Sequence, residues 1–237
     1  MRVCADPNNM PFSNVRGEGF ENKLAEMTAG KLGEKLEYTW WSERKSFLKN
    51  SLGQARCDVV MGVPSTLDSI TATRPYYRST YVFVSRRNRK LKLTSLDDPR
   101  LGNWRIGIHV VGDDYAPPAY ALARRGITSN IVGFSLFGEY GEPNPPARLI
   151  DAVARGDIDI GIVWGPFAGY FAKHVNESLD IVPVSPPVFL AVPFTYDISM
   201  GVRKGNDAFK AELDSVIENE SGEIQQILSE YGVPQVH

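Results

Sequence analysis

Polar and aromatic side chains concentrate where the predicted strands of this 237-residue chain end. The run Val59-Val60-Met61 is short, apolar and followed by turn residues, which is typical of a buried parallel strand. Ligands of open α/β sheets bind beyond the carboxyl ends of such strands, and aromatic walls with a few polar groups suit a small molecule. Packing alone is the alternative for each aromatic residue. The predicted cleft residues are Asp6, Asn8, Phe12, Trp40, Ser65, Asp68, Tyr77, Asp113, Asp114, Tyr115, Asn144 and Trp164.

Two adjacent acidic residues, Asp113 and Asp114, precede a predicted helix. Side-chain oxygens at that position cap helices, an interaction worth about 0.5–2 kcal/mol. The alternative is that the pair makes the cleft tolerant of a cation. A hard cation requires about six to eight oxygens, so Asp6 and Asp68 would have to contribute as well.

The sequence lacks the patterns of an enzyme or of a cofactor site. It contains no Gly-x-Ser-x-Gly elbow, no glycine-rich phosphate loop and no cluster of His and Cys with metal-ligand spacing. His109 and His174 are not spaced as members of a catalytic triad, and neither cysteine has a local histidine partner. We therefore expect a non-catalytic protein without metal or cofactor.

Strands and helices alternate in two halves of the chain, which implies parallel, right-handed, doubly wound sheets. The predicted elements of the first half are strands at 3–6, 36–41 and 58–61, with helices at 21–32 and around 47–52. Those of the second half are strands at 104–109, 131–137 and 159–163, with helices at 113–124 and 145–155. A strand at 196–203 and two further helices are expected to return to the first half.

Composition argues against two classes of partner. The formal net charge of −2 creates no basic field for nucleic acid, and the basic run 86–90 is too short to change that. A solvated loop explains this run, with a docking patch for an acidic protein as the alternative. No apolar run approaches the roughly 18–20 residues of a membrane span. No signal peptide is present, which suits a mature exported protein, although a cytosolic protein would look the same.

The two cysteines, Cys4 and Cys57, do not define a metal site. Each lies in or just before a predicted strand, so the thiols could approach one another if those strands are neighbours. Two buried free cysteines are the alternative, because free cysteines are common in protein cores.

Several motifs stand in a recognisable order: Pro11-Phe12-Ser13, Gly19-Phe20-Glu21, Thr73-Arg-Pro-Tyr-Tyr77 and Gly201-Val-Arg-Lys-Gly205. They resemble segments of the type II periplasmic solute-binding proteins of family 3. More closely, other segments resemble the quinoprotein-dehydrogenase-associated branch of that family, the MxaJ/XoxJ-like proteins. These segments are 4–13, 38–41, 57–64, 74–81, 112–116, 144–147 and 163–166.

The resemblance implies a two-lobed α/β fold, in which each lobe is a mostly parallel sheet flanked by helices and a two-strand hinge joins the lobes. Lobe 1 is expected at 1–85 plus 195–237, and lobe 2 at 86–194. The resemblance also implies export to the periplasm, which favours a disulfide between Cys4 and Cys57. The implied partner is a subunit of a methanol dehydrogenase that uses pyrroloquinoline quinone (PQQ), and we expect a monomer.

Two charged anchors of amino-acid-binding relatives are missing. Leu67 follows Thr66 where such relatives carry an arginine that grips the ligand carboxylate, and Trp164-Gly165 replaces the aspartate that holds the ammonium group. We therefore predict an accessory protein of a PQQ-dependent dehydrogenase, with candidate docking segments at 86–90 and 183–193. The alternative is the substrate-binding component of an ABC transporter for a small solute that is not an amino acid.

Overall fold

The computed structural model describes residues 1–43, 46–111, 114–137 and 144–236. Within these residues the strands are, in chain order, β1 (Arg2–Ala5), β2 (Asn8–Asn9), β3 (Ser13–Asn14), β4 (Glu37–Trp40), β5 (Val59–Pro64), β6 (Thr71–Ala72), β7 (Tyr77–Arg86), β8 (Ile106–Val111), β9 (Asp114–Tyr115), β10 (Ile131–Ser135), β11 (Ile160–Trp164), β12 (Leu179–Pro183), β13 (Val188–Phe189), β14 (Val192–Pro193) and β15 (Thr195–Val202). The helices are α1 (Phe20–Leu32), α2 (Phe47–Asn50), α3 (Pro117–Ala123), α4 (Ala147–Arg155), α5 (Gly165–Ala172), α6 (Asp207–Asn219) and α7 (Ser221–Glu230).

The chain divides into two compact units. Unit 1 comprises Met1–Arg78 and Tyr196–Tyr231, and unit 2 comprises Ser79–Thr195 and Gly232–Val236. The lobe boundaries predicted from the sequence, and the two-strand hinge between the lobes, stay a prediction.

Unit 1 is built on a sheet with the strand order β4-β1-β5-β15-β6. The first three of these strands run parallel, whereas β15 is antiparallel to both β5 and β6. Helix α1 follows an N-cap at Gly19 and ends at Gly33, whose φ of 68° lies in the left-handed region that glycine adopts easily. Helices α6 and α7 both contact α1.

Strand β5 continues to Pro64, beyond the end predicted at Met61. The Gly-x-Pro sequence after Met61 has the composition of a turn, yet Val63 pairs with Ser199 and Pro64 with Ile198 of β15. A strand from much later in the chain thus supplies partners for residues that local propensity places outside a strand.

Unit 2 contains a second sheet with the strand order β10-β8-β11-β7-β12. Its first three strands are parallel, and both β7–β11 and β7–β12 are antiparallel pairs. Buried side chains of this sheet, including Phe83, Ile108 and Ile162, pack with α3 and the 91–101 segment into one apolar core. The parallel part places the carboxyl ends of β8 and β11 at one edge.

Cys4 and Cys57 form a disulfide in unit 1, with their Cα atoms 5.5 Å apart. Strand β1, which contains Cys4, pairs with β5 at Val3 and Val59, two residues beyond Cys57. Both cysteines are buried in a core cluster with Phe47 and other apolar residues.

None of the helices in the described ranges is long and apolar enough to cross a membrane.

Candidate functional site

The loop after β1 packs directly on the start of α1 in unit 1. The amide of Phe20 donates to the carbonyl of Pro11 at 2.8 Å, and that of Glu21 donates to the carbonyl of Phe12 at 2.9 Å. A Cβ atom on Gly19 would lie only 2.0 Å from the Phe12 carbonyl oxygen. Only glycine allows this approach, which gives the Pro-Phe and Gly-Phe motifs a physical basis.

Phe20 is completely buried and connects three aromatic rings. Its ring centroid lies 5.1 Å from that of Phe12, 6.1 Å from that of Tyr77 and 6.0 Å from that of Tyr231. Two predicted site residues, Phe12 and Tyr77, are thus brought together. Tyr77 is buried and packs edge-on against Phe20, so its ring belongs to the core of unit 1.

Asp6 holds the loops that follow β1 and β4. Its carboxylate accepts hydrogen bonds from the backbone amides of Asn8 at 2.8 Å and Glu43 at 2.6 Å. The side-chain amide of Asn9 donates to Oε2 of Glu43 at 2.7 Å. The predicted residue Asp6 therefore contacts both Asn8 and Glu43, and Asn9 contacts Glu43 as well; Glu43 is not among the residues predicted from the sequence.

Two half-buried carboxyl groups, Glu21 and Glu43, lie near the end of β5. Burial raises the pKa of Glu43 to about 7; the charge of Asp6 adds to the rise, and the hydrogen bond from Asn9 opposes it. Burial, and then the charge of Glu43, raises the pKa of Glu21 well above its usual value. The Glu21 carboxyl occupies space that the glycine at position 62 leaves open, since a Cβ there would lie 2.0 Å from Oε1.

A recess of about 300 Å³ adjoins Glu43 and the end of β5. It is lined by Glu43, Ser46, Phe47, Leu48, Lys49, Gly62, Val63, Pro64 and Leu67. Its polar groups are mainly the carboxyl of Glu43 and the ammonium of Lys49, and the rest of the wall is largely apolar, so it suits a small ligand with an apolar part and a group that donates a hydrogen bond to Glu43. A larger recess of about 530 Å³ between α1 and α6 contains none of the predicted site residues.

The other predicted residues of unit 1 lie in three settings. Trp40 is in the edge strand β4 and stacks on Tyr38, with ring centroids 4.5 Å apart. The hydroxyl of Ser65 donates to the carbonyl of Asp197 at 3.0 Å and lies 2.7 Å from the Ser199 hydroxyl. Asp68 is exposed in the loop after β5.

Arg74 and Arg78, the first two arginines after the position of the missing anchor, are engaged elsewhere in unit 1. Arg74 pairs with Glu218 at 2.7 Å, and Arg78 lies 3.5 Å from the carboxylate of Asp197.

In unit 2, the helix predicted to start at Asp113 begins only at Pro117. Asp114 and Tyr115 form β9, which pairs with β8, so Asp114 is not a helix cap. The prediction was wrong because acidic residues after a glycine resemble a capping sequence, whereas pairing with β8 keeps this segment extended. Asp113 lies outside the described residues.

The remaining predicted residues of unit 2 lie next to helix starts. Asn144 has a φ of 46° and accepts a backbone hydrogen bond from Ala147, the first residue of α4. Trp164 ends β11 directly before α5, and its ring centroid lies 5.5 Å from that of Tyr81.

His109 is buried at the carboxyl end of β8. Its Nε2 lies 3.1 Å from the carbonyl oxygen of Pro146, and its ring packs edge-on against Phe167. Burial lowers the pKa of His109 to about 4, so a neutral ring donates this hydrogen bond at neutral pH. The described ranges contain no group of three or more His, Cys, Asp or Glu residues that could hold a metal ion.

Replacement of Glu43 by glutamine is expected to stabilise the protein above pH 7. The pKa of Glu43 is raised to about 7 in the folded state, so the ionised carboxyl destabilises the fold at alkaline pH, and this penalty disappears as the pH falls towards 4.5. For a half-buried group the gain in unfolding free energy at pH 8 is about 1–2 kcal/mol.

Urea unfolding of both proteins between pH 4.5 and 8 measures this gain. Glu212→Gln, on the exposed face of α6, is the matched control and is expected to show no such pH-dependent difference. An E43Q effect that is equal at pH 4.5 and pH 8 contradicts the argument.

The fold and the site together define an α/β binding protein with two units. Residues 1–234 match the bacterial extracellular solute-binding proteins, family 3, and the chain belongs to this family. The family and fold class predicted from the sequence are confirmed.

Three relatives are similar over almost the whole chain. Protein MoxJ of Methylorubrum extorquens AM1 is 31% identical, and the match covers 99% of this chain and 81% of MoxJ. The crystal structure of periplasmic binding protein XoxJ from Methylobacterium extorquens AM1 shows 37% identity and a TM-score of 0.80, covering 100% of this chain and 99% of XoxJ. That of MxaJ from Methlophaga aminisulfidivorans MPT shows 25% identity and a TM-score of 0.87, with complete coverage of both chains. The predicted resemblance to the MxaJ/XoxJ-like branch is confirmed.

Proposed function

We propose that this protein is a periplasmic accessory protein of a PQQ-dependent methanol or alcohol dehydrogenase. It binds a dehydrogenase subunit and assists its maturation or activation without catalysing a reaction itself. The main support for this proposal is the similarity to MoxJ, XoxJ and MxaJ along almost the entire chain. The sequence motifs that resemble the quinoprotein-dehydrogenase-associated branch point to the same group of proteins.

The chemistry of the unit 1 recess supports a role other than amino-acid binding. Leu67 occupies the position where amino-acid-binding relatives carry an arginine, and the recess contains the carboxyl group of Glu43. The recess does contain the exposed Lys49, but a lysine ammonium lacks the planar pair of donors with which an arginine grips a carboxylate in a bidentate way.

The disulfide between Cys4 and Cys57 supports a periplasmic location. Disulfides persist in oxidising compartments such as the periplasm and are rare in the cytosol.

A transport receptor for a small solute is the second candidate, and the recess of about 300 Å³ is the observation that favours it. Its ligand would carry a cationic or hydrogen-bond-donating group beside Glu43, with an apolar part on Phe47 and Leu67.

Binding to a purified PQQ-dependent methanol dehydrogenase tests the proposal. The protein is immobilised, and the dehydrogenase is offered both as the cofactor-free subunit and as the assembled enzyme. We expect saturable binding of at least one form and a larger active fraction when the cofactor-free subunit is loaded with PQQ in the presence of the protein.

Absence of binding to either form overturns the proposal. The transport receptor is then tested by thermal-shift screening of small amines and alcohols. A solute present at 100 times its dissociation constant adds about 2.7 kcal/mol to the stability of the folded protein.

A further inference from the structure

Two exposed apolar side chains lie on one hairpin of unit 2, and a third lies on the neighbouring helix α3. Strands β13 and β14 pair through Val188 with Pro193 and Phe189 with Val192. Val188 is 49% exposed and Leu190, in the turn, is 63% exposed. Tyr120 of α3 is 46% exposed and lies beside the hairpin, with its ring centroid 6.3 Å from that of Phe189. Tyr120, Val188 and Leu190 are called the hairpin patch below.

The inner face of this hairpin is anchored to unit 2. Phe189 and Val192 pack against the core of that unit. The guanidinium of Arg125 lies 4.2 Å from the Phe189 ring centroid and forms an ion pair with Asp97 at 2.6 Å. The outer face is therefore presented on a fixed support, which reduces the ordering penalty when a partner binds.

Leu190, at the tip of the hairpin, has a backbone conformation and an exposure that are unfavourable for a leucine in the isolated protein. Leu190 has a φ of 53°, in the left-handed region where Asn, Asp and Gly are preferred in two-residue turns. Its side chain is exposed, so it gains little packing in return. An exposed apolar residue that is held in a disfavoured conformation is a feature that functional surfaces retain.

A positive charge lies at the edge of the patch. Arg124 follows Tyr120 by four residues at the end of α3, a spacing that makes the two side chains neighbours on a helix surface. Arg124 is exposed and has no ion-pair partner among the residues that the structure describes. A complementary partner surface is therefore apolar and carries a carboxylate at its rim.

We propose that the hairpin patch, with Arg124 at its edge, is the docking surface for the dehydrogenase subunit. This inference rests on the proposed function. It selects the 183–193 segment over the basic run 86–90, where Arg87 and Arg89 are already paired with Asp180 and Asp159.

Affinity measurements with single variants and the same dehydrogenase test this surface. Leu190→Asn and Arg124→Glu are each expected to weaken binding about tenfold or more, since central apolar residues and arginines dominate interface energetics. Asn is suited to the backbone at position 190, so L190N is expected to unfold at the same or a higher urea concentration than the unaltered protein. A loss of binding by L190N therefore does not stem from unfolding.

Two matched controls lie in unit 1. Val15→Ser removes an apolar side chain that is 60% exposed, and Lys204→Glu reverses an exposed charge. Both are expected to bind within about twofold of the unaltered protein, because hot-spot residues are few.

Each outcome has a definite meaning. If the unaltered protein binds and both L190N and R124E bind equally well, the docking surface is wrong and the proposed function stands. If the unaltered protein does not bind the dehydrogenase, the docking surface and the proposed function are both wrong. Self-association in sedimentation that L190N abolishes would overturn the inference in favour of a contact between copies of this chain.

Discussion

Replacing both Cys4 and Cys57 by alanine is expected to lower the free energy of unfolding by about 4 kcal/mol, from the chain entropy of the loop that the disulfide closes. The two cysteines are 53 residues apart, and the bond joins Cys4 within β1 to the residue that precedes β5 by two positions. Without the bond, the unfolded chain gains conformational freedom while the folded contacts remain almost unchanged. This loss of unfolding free energy is among the largest expected for any substitution in this protein.

Urea unfolding at pH 7, followed by far-UV circular dichroism, measures the change. Reductant is expected to lower the stability of the unaltered protein by a similar amount and to leave the C4A/C57A variant unchanged. A loss smaller than about 1 kcal/mol would contradict the entropic argument, because a loop of this length predicts several times more.

Phe20→Ala is expected to destabilise the protein by about 3–5 kcal/mol, the range for removing a large side chain from a packed core. Phe20 is completely buried and touches the rings of Phe12, Tyr77 and Tyr231. The cavity would open where the loop after β1, the start of β7 and the end of α7 meet. The loop that carries Asp6 and Asn9 therefore loses its support as well.

Phe20→Leu is the matched control, since it retains most of the apolar volume and is expected to lose less than about 2 kcal/mol. Both variants are compared by urea unfolding and by near-UV circular dichroism, which reports on the packing of the aromatic rings. Equal stabilities for F20A and F20L would show that packing around Phe20 is loose and would refute the role assigned to it.

Local patterns in the sequence were sufficient for most secondary structure. The helix predicted at 21–32 is α1, and its end at Gly33 follows from the glycine preference for the left-handed region. The apolar run after Asp58 forms β5, and the run after Asp159 forms β11. These elements are long or bounded by strong turn residues, so local propensity and tertiary structure agree.

Short segments with ambiguous chemistry were not predictable in this way. The second helix of unit 1, expected over 47–52, is one turn at Phe47–Asn50 followed by a 3-10 turn. The segment at Asp114 has the composition of a helix cap but pairs with β8. In both places tertiary contacts outweigh propensities of a few tenths of a kcal/mol per residue.

The candidate site also combines features that the sequence predicts with features that only tertiary contacts create. The sequence by itself determined the α/β class and the absence of an arginine after Thr66, whereas the close approach that requires glycine at position 19 is visible only in the fold. Only the tertiary structure brought Glu21 and Glu43 together at the end of β5. Glu21 lies at the start of a helix and Glu43 lies in a loop, and nothing in the local sequence distinguishes either residue from an ordinary exposed glutamate. A raised pKa arises from burial beside another carboxyl group, and neither burial nor proximity is a property of a residue type.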